Sequence, residues 1–156
     1  MDADKAGPGL TGGCQCGAVR YRLNASPKGA SICHCRMCQK AGAAPYMAFA
    51  PVQAAQFEIT RGALGIFKSS DIAERGFCAA CGTPLTYRNV ASSRISVTIC
   101  SLDDPNAVPP EFQLGAETAV GWVSECLTKP NTSTDDWFKS KGITHVGNHQ
   151  QPDRDI

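Results

Sequence analysis

Seven of the nine cysteines in this chain of 156 residues fall into three short clusters that could bind metal ions. The clusters are the pair Cys14 and Cys16, the triplet Cys33, Cys35 and Cys38, and the pair Cys78 and Cys81. Two pairs supply four thiolates, which match the closed tetrahedral coordination of a structural zinc ion. Three thiolates leave a zinc ion with one open position, which is typical of catalytic zinc. The spacing therefore predicts two zinc ions with different roles.

Disulfide bonds are the alternative use of so many cysteines. The stretch 1–9 is acidic, is interrupted by glycine and proline, and lacks the apolar segment of a secretory signal. Disulfide frameworks are typical of small exported domains, whereas cysteine-rich cytosolic proteins use thiols for metal or redox chemistry. We therefore expect a cytoplasmic zinc protein. The isolated Cys100 and Cys126 are expected to be small buried side chains.

The residues around each pair suit a metal-binding turn. The side chains of a CxC pair point to one side of an extended segment, so both sulfurs can bind one ion. Gly82 follows the CxxC pair and suits the positive φ that such tight turns often require. A CxxC pair alone could be a redox pair. Its occurrence together with a glycine-flanked CxC pair in one short chain favours metal binding.

The triplet has two interpretations. A zinc ion with an open position would deprotonate an incoming thiol. Arg36 and Lys40 lie close in sequence and could offset the negative charge or attract an anionic ligand, or they could simply be solvated. Alternatively, the triplet is a second structural site closed by Cys100, Cys126 or an acidic residue. His34 could be a proton shuttle, a hydrogen-bond donor behind the ligands or a packed residue.

Length and charge restrict the possible functions. A chain of this length forms one domain of ordinary size and can bury a core. A net charge of +1 gives no electrostatic case for nucleic acid or membrane surfaces. No apolar run approaches the ~18 residues of a membrane span. We expect a flexible N-terminus over 1–11, one zinc-binding domain over 12–144 and a polar tail over 145–156, in which His149 is a poor ligand candidate.

The elements that must position the cysteines are predicted to be mostly strands. Apolar and polar residues alternate over 18–23, 57–59 and 94–99, which predicts strands with one buried face. In the first segment, Arg20 and Arg22 are assigned to the exposed face. Proline and glycine interrupt the chain every 8–20 residues, which favours short antiparallel strands over βαβ units.

Few helices are expected, and both predicted ones are short. One turn of helix is predicted around residues 35–41, where Gly42 ends it. A second helix is predicted from Asp135 to Lys141, with Thr134 as its N-cap and Gly142 at its end. Together these patterns predict a mostly β domain whose sheets are held by zinc.

Three segments together resemble the glutathione-dependent formaldehyde-activating family, whose domain also occurs in centromere protein V. They are residues 12–21 (GGCQCGAVRY), 33–40 (CHCRMCQK) and 77–85 (FCAACGTPL). The loop 101–105 (SLDDP) and Trp122 extend the resemblance, which runs from about Gly12 to Pro130. The chain departs from the family pattern at Cys100 and over 125–130, and late loops of this kind often shape the substrate pocket.

The resemblance implies a fold and a set of ligands. The family fold is a mostly β, Mss4-like tent of short antiparallel strands. By motif match, the structural zinc takes Cys14, Cys16, Cys78 and Cys81, and the catalytic zinc, near bound glutathione, takes Cys33, Cys35 and Cys38. The expected cofactors are two zinc ions per chain, of which the second need not fully occupy its site. Glutathione is the expected substrate or co-substrate.

The family activity joins formaldehyde to glutathione and gives S-hydroxymethylglutathione, formally a carbon–sulfur lyase reaction. We therefore expect a zinc-dependent lyase-type enzyme that acts on the adduct of glutathione, or another small thiol, with a small aldehyde. Two other functions remain open, namely a non-catalytic carrier of glutathione or its adducts and a zinc-stabilised interaction module. A basic arm would favour the module, and this chain has none. The expected partners are small thiols and aldehydes rather than nucleic acid or membranes.

Overall fold

The structure of the protein is a computed structural model that describes residues 9–156, and most of its regular elements are β-strands. The strands are β1 (Leu10–Gly13), β2 (Arg20–Leu23), β3 (Ser31–Cys33), β4 (Met47–Gln53), β5 (Phe57–Arg61), β6 (Gly65–Ser70), β7 (Ala73–Phe77), β8 (Pro84–Asn89), β9 (Arg94–Thr98) and β10 (Phe112–Leu114). The helices are α1 (Arg36–Gly42), α2 (Val123–Cys126) and α3 (Thr134–Ser140). The predicted mostly β fold with few short helices is confirmed.

The strands form two sheets. One sheet has the order β1-β2-β5, and the other has the order β10-β3-β4-β9-β8-β7-β6. The pairs are antiparallel, as predicted, except that β10 runs parallel to β3 at the edge of the larger sheet. A parallel neighbour needs a long connection rather than a hairpin. Here the chain passes through the other strands of the larger sheet before β10 returns to β3.

The main core draws side chains from both sheets. Tyr21 and Leu23 from the smaller sheet and Leu85 and Val97 from the larger sheet are fully buried in it. Burying a large apolar side chain of this kind contributes about 1.5–3 kcal/mol. A second, smaller cluster is centred on Cys38, Met47 and Phe49. The two predicted groups of cysteines lie in these two different clusters, because Cys14 and Cys78 belong to the main core.

Strand β2 differs from its predicted pattern at one position. Arg22 is exposed, as expected, but Arg20 is only 2% exposed. The prediction of a solvated Arg20 is wrong because its guanidinium binds the carboxylate of Asp103, with Nη1–Oδ1 and Nη2–Oδ2 distances of 2.8 and 2.5 Å. Thr11 also donates a hydrogen bond to Asp103, at 2.6 Å. Asp103 therefore ties the loop after β9 to the smaller sheet.

The helix ends differ slightly from the sequence prediction. Helix α1 includes Gly42, and the left-handed residue that follows it is Ala43, with a φ of 47°. Helix α3 has Ser133, not Thr134, as its N-cap, because the Ser133 hydroxyl accepts a hydrogen bond from the Asp136 amide. The short α2 was not predicted.

The C-terminal segment lies against the smaller sheet. The Gln151 amide donates to the Gln15 carbonyl at 2.7 Å, and Asp155 forms an ion pair with Arg22 at 3.0 Å. Arg61 donates to the carbonyl of Ile156. The polar tail predicted over 145–156 thus contacts the turn that carries the first cysteine pair. Within residues 9–156, no helix has the length and apolar character that a membrane crossing requires.

Candidate metal centres and the adjoining cavity

The two cysteine pairs meet in one group. Cys14 and Cys16 lie in the turn after β1, and Cys78 and Cys81 lie in the turn between β7 and β8. Their four sulfur atoms are all within 4.8 Å of one another. The group therefore lies where a turn of the smaller sheet meets a turn of the larger one.

Backbone hydrogen bonds shape both turns. The Val19 amide donates to the Cys14 sulfur at 3.2 Å, and the Gly82 amide donates to the Cys78 carbonyl at 2.8 Å. Gly82 has a φ of +79°, as predicted for this turn. The Gln15 amide donates to the Thr83 hydroxyl at 3.0 Å and connects the two turns directly. Folding of the backbone therefore brings the four sulfurs together.

The spacing of these sulfurs fits a tetrahedral metal ion. The Cys14–Cys16 and Cys16–Cys78 sulfur distances are 3.6 and 3.8 Å. Zinc–sulfur bonds of about 2.3 Å give a tetrahedron with edges of about 3.8 Å, whereas a disulfide needs about 2.05 Å. All four are free thiols. Burial raises the pKa of Cys81, but hydrogen bonds from Thr83 and Cys16 outweigh burial and lower it to about 6. The Ala18 amide lowers the pKa of Cys16, but hydrogen bonds with the other three thiols and burial outweigh it and raise that pKa to about 11. The surroundings therefore favour the thiolate at Cys81 and the thiol at Cys16.

The triplet forms a second group of sulfurs. Cys33 ends β3, Cys35 immediately precedes α1, and Cys38 is buried in the first turn of that helix. Their sulfur atoms also lie within 4.8 Å of one another. Over residues 9–156, no fourth histidine, cysteine or acidic side chain joins the group. The arrangement offers a metal ion three soft ligands and leaves one position open.

Cys100 and Cys126 belong to neither group. Both are exposed, so the prediction that they are small buried side chains is wrong. Cys100 lies in the 3₁₀ turn after β9, and Cys126 ends α2. Cys100 lines a separate cavity of about 280 Å³ together with Arg20 and Asp103. As the chain is folded, neither thiol closes the triplet.

The turn that carries the triplet is held by the segment after β10. The Gln39 amide group donates to the carbonyls of His34 and Thr118, at 2.7 and 2.9 Å. The Thr118 hydroxyl also donates to the His34 carbonyl, at 3.0 Å. Gly115 has a φ of +65°, and a side chain there would place its Cβ only 3.0 Å from the Cys35 amide nitrogen. Glycine is therefore required both by the backbone angle and by the close approach to the triplet.

His34 is a packed residue in this structure. Its side chain is buried, and its Nε2 atom lies 2.9 Å from the Gln113 amide oxygen. Its ring meets that of Tyr46 edge-on, with centroids 5.4 Å apart. His34 is not among the residues that line the cavity beside the triplet. Of the roles considered from the sequence, the geometry favours packing over proton transfer.

A cavity of about 230 Å³ opens beside the triplet. The three cysteines form part of its lining, and Phe49, Ala73, Tyr87 and Leu114 contribute apolar walls. Met37 and Ile72, which also line it, are 53% and 59% exposed. The open side of the triplet thus faces a largely apolar space that a small molecule can enter.

Arg75 is a residue of this cavity that the sequence analysis missed. It lies on β7, is 8% exposed, and is the one charged side chain among the described residues that line the cavity. Its Nη2 atom lies 3.4 Å from the Cys38 sulfur, and its guanidinium carbon lies 5.1 Å from the centre of the Tyr87 ring. Three strands separate β3 from β7, so no local sequence signal links Arg75 to the triplet.

Arg36 and Lys40 lie elsewhere. With Gln39 and Ala43 they occupy one face of α1 and line a separate groove of about 450 Å³ that includes Trp122. Cys38 lies on another face of the helix, against the cavity. The cation that can offset the negative charge of the triplet is therefore Arg75, which is distant from the cysteines in sequence. Arg36 and Lys40 are close in sequence but lie in the other groove.

The surroundings of the triplet act differently on its thiols. Burial raises the pKa of Cys38 to about 12, although the adjacent Arg75 opposes this shift. Burial also raises the pKa of Cys35, but hydrogen bonds from the Cys38 and Met37 amides and from the neighbouring thiols outweigh it and lower the pKa. Metal binding to the triplet releases the thiol protons, because a metal ion takes the thiolate form of cysteine.

Comparisons with known proteins agree with the fold and the cysteine pattern. The family model described as "Glutathione-dependent formaldehyde-activating enzyme" matches residues 9–117. An uncharacterized lyase of Schizosaccharomyces pombe is 34% identical over 80 residues, which are 51% of this chain and 58% of that protein. The alignment thus spans little more than half of the relative's length.

A solved structure shares the fold. A crystal structure of a Rhodobacter sphaeroides protein superposes with a TM-score of 0.52 and 21% sequence identity, covering 66% of this chain and 98% of that one. At this identity the likeness concerns the fold alone. The family model covers more than two thirds of the chain and includes all seven clustered cysteines. The chain therefore belongs to the glutathione-dependent formaldehyde-activating enzyme family.

Proposed function

We propose that this protein is a zinc-dependent, carbon–sulfur lyase-type enzyme that makes and breaks the adduct of a small thiol with a small aldehyde. Glutathione is the proposed thiol and S-hydroxymethylglutathione the proposed adduct. The observation that carries the proposal is the three-cysteine group with an open side facing a cavity. Family membership and the lyase name of the S. pombe relative support the reaction class.

The two cysteine groups have different proposed roles. Cys14, Cys16, Cys78 and Cys81 hold a structural zinc ion that joins the two sheets. Cys33, Cys35 and Cys38 hold a second zinc ion that takes part in the reaction. The donor sets suit these roles, because a closed set of four ligands excludes substrate and a set of three admits it.

A zinc ion at the triplet would lower the pKa of a thiol in its open position and so supply a thiolate at neutral pH. The residues of the chain prepare the space around that thiol. Phe49, Ala73 and Leu114 contribute apolar side chains to the lining of the cavity. Arg75 places a positive charge next to the sulfur cluster, where a further thiolate would otherwise be repelled.

Ionisation alone accounts for only part of an enzymatic rate. A free thiol with a pKa of about 8.5 is roughly 3% ionised at pH 7, so complete ionisation yields about a 30-fold gain, or about 2 kcal/mol. A larger acceleration must come from the position of the aldehyde relative to the sulfur. The apolar walls and Arg75 are the parts of the site that can provide it.

The proposal is tested by exchange NMR of formaldehyde with glutathione. The zinc-loaded wild-type protein should interconvert the free and adduct forms faster than buffer does, and the rate should saturate with glutathione. Cys35→Ser should lose the acceleration, whereas Cys126→Ser, a matched change of an exposed thiol outside both groups, should retain it.

Calorimetry separates the enzyme from a carrier. Glutathione binding that disappears in Cys35→Ser, together with no acceleration in the wild type, would support the carrier function instead. Absence of both binding and acceleration would contradict any role of the triplet in handling glutathione.

A further inference from the structure

Arg75 is buried without the partner that a buried cation normally has. Its side chain is 8% exposed, yet it forms no ion pair with an acidic residue anywhere in the described chain. An isolated buried charge costs several kcal/mol unless other groups compensate it. Its position therefore needs an explanation beyond packing.

The hydrogen-bond donors of Arg75 meet only sulfur atoms. Nη2 lies 3.4 Å from the Cys38 sulfur and Nη1 lies 3.8 Å from the Met47 sulfur, while Nε has no partner. A guanidinium has five N–H donors in one plane. No described oxygen atom accepts from any of them, so the donors are available to a ligand oxygen.

The neighbours of Arg75 fix its direction. Its guanidinium lies over the Tyr87 ring, and in the sheet Arg75 is directly opposite Tyr87. Stacking of this kind holds the planar group in one orientation. The guanidinium is therefore held between the Tyr87 ring and the Cys38 sulfur, in the lining of the cavity that the triplet shares.

We propose that Arg75 is a catalytic residue that binds the oxygen of the aldehyde and of its thiol adduct. The inference rests on the proposed function. In the adduct the hydroxyl oxygen is two covalent bonds from the sulfur. A ligand sulfur at the open side of the triplet thus brings that oxygen beside a guanidinium that already reaches Cys38.

The chemistry of the addition matches this position. The thiolate sulfur forms a bond to the carbonyl carbon, and the π electrons of the carbonyl move to the oxygen. Water protonates this oxygen, and the hydroxide that forms is neutralised by the proton first released from the thiol. Negative charge therefore moves from sulfur to oxygen, and a fixed cationic donor stabilises it there. The guanidinium acts as a fixed hydrogen-bond donor and keeps its proton, since arginine side chains are not deprotonated in proteins.

The reverse reaction uses the same contact. The adduct hydroxyl loses its proton to solvent, the carbon–sulfur bond breaks, and the electron pair of that bond returns to sulfur as the carbonyl re-forms. Arg75 stabilises the alkoxide that precedes cleavage. It therefore contributes to the rate in both directions without changing the equilibrium.

The test compares Arg75→Met, Arg75→Gln and Arg75→Lys with the wild type. Arg88→Gln is the matched control, because Arg88 is an exposed arginine on the adjacent strand β8. Zinc content, glutathione affinity and thermal unfolding are measured beside the exchange rate of formaldehyde with glutathione. Arg75→Gln and Arg75→Lys keep a polar or charged side chain, so their exchange rates can still be compared with the wild type if Arg75→Met folds poorly.

The expected result is a selective loss. Arg75→Met should retain two zinc ions, and its glutathione affinity should fall by much less than its exchange rate, because glutathione alone lacks the adduct oxygen. Its exchange rate should fall by about 100-fold, the lower end of the range for loss of one charge-stabilising donor. Arg75→Lys and Arg75→Gln should recover part of the rate, and Arg88→Gln should match wild type.

A binding measurement tests the same contact without depending on turnover. In the wild type, glutathione pre-equilibrated with excess formaldehyde should bind more tightly than glutathione alone, whereas Arg75→Met should bind both equally. An unchanged exchange rate in Arg75→Met would overturn the proposal. The proposal would also be overturned if the exchange rate fell only as much as the zinc content or the glutathione affinity. Arg75 would then contribute to metal binding or to thiol binding and not to the reaction. A wild-type protein without acceleration would instead contradict the proposed function itself.

Discussion

Arg20 and Asp103 form a bidentate ion pair inside the protein, although Arg20 begins strand β2 and Asp103 lies in the loop after β9. Their side chains are 3% and 14% exposed. Thr11 completes the arrangement by donating to the same carboxylate. The ion pair therefore connects the turn between β1 and β2, which carries Cys14 and Cys16, to the loop that follows β9.

Loss of this pair should be strongly destabilising. Asp103→Asn removes the carboxylate that binds both ends of the buried Arg20 guanidinium and leaves only the more distant Asp155, at 3.7 Å. Breaking a buried pair costs about 3–5 kcal/mol. Glu125→Gln is the control, because Glu125 pairs with the exposed Lys129 and such pairs contribute at most about 1 kcal/mol. Urea unfolding of both zinc-loaded variants measures the difference. Equal costs would show that the Arg20–Asp103 pair contributes no more than a surface contact.

The same pair should make stability depend on pH. Burial raises the pKa of Asp103, but hydrogen bonds from Arg20 and Thr11 outweigh burial and hold the pKa below its usual range. The stabilisation is therefore fully present above the unfolded pKa of about 3.9 and is lost as the pH falls through the lower folded value. Unfolding measured from pH 6 to pH 3 should show the gap between wild type and Asp103→Asn narrowing below about pH 4. A gap that stays constant would contradict this assignment.

Gly82 offers a test of the closed cysteine turn that leaves every ligand in place. A Cβ at Gly82 would meet nothing within 4 Å, but the φ of +79° is unfavourable for any side chain. Gly82→Ala should therefore cost about 1–2 kcal/mol. Gly121→Ala is the control, since a Cβ there also meets nothing and no positive φ is involved. Equal stability of Gly82→Ala and Gly121→Ala in thermal unfolding would contradict the prediction, because the turn would then accept a side chain at residue 82 without strain.

The two cysteine groups should respond differently to the loss of one ligand. Cys81→Ser removes a ligand from the group that joins the two sheets, and zinc binding of that kind is coupled to folding. It should lower both zinc content and the unfolding temperature. Cys35→Ser should leave a folded protein with a weakened second site. Bound zinc and the unfolding temperature are measured for both variants. Equal loss of stability in Cys81→Ser and Cys35→Ser would contradict this distinction.

The part of the fold that follows from local pattern was predictable from sequence. Strands around Tyr21, Ile59 and Val97 have one apolar face, and Gly82 marks the turn after its cysteine pair. The grouping of the cysteines was also predictable, because four and three thiolates correspond to two kinds of zinc site. The strands and the turn depend on residues close together in the chain, whereas the grouping of two pairs 62 positions apart followed from the number of ligands alone.

The features that were missed depend on contacts between distant strands. Arg20 looked like a solvated strand residue because its partner Asp103 lies 83 positions away. Arg75 had no link to the triplet, because Cys38 reaches it from a helix that packs over the larger sheet. The parallel pairing of β10 with β3 was missed for the same reason. Arg36 and Lys40 were closer in sequence, but the helical period turns them to another groove.

The central claim is that the triplet leaves one zinc position open to a thiol. The most direct measurement is zinc X-ray absorption of the fully loaded Cys100→Ser/Cys126→Ser protein, in which neither isolated thiol can act as a ligand. Four and three cysteines predict an average of about three and a half sulfur ligands per zinc. Added glutathione should raise this average to about four. An average of four before glutathione is added, or no change after it, would contradict an open site that binds the thiol.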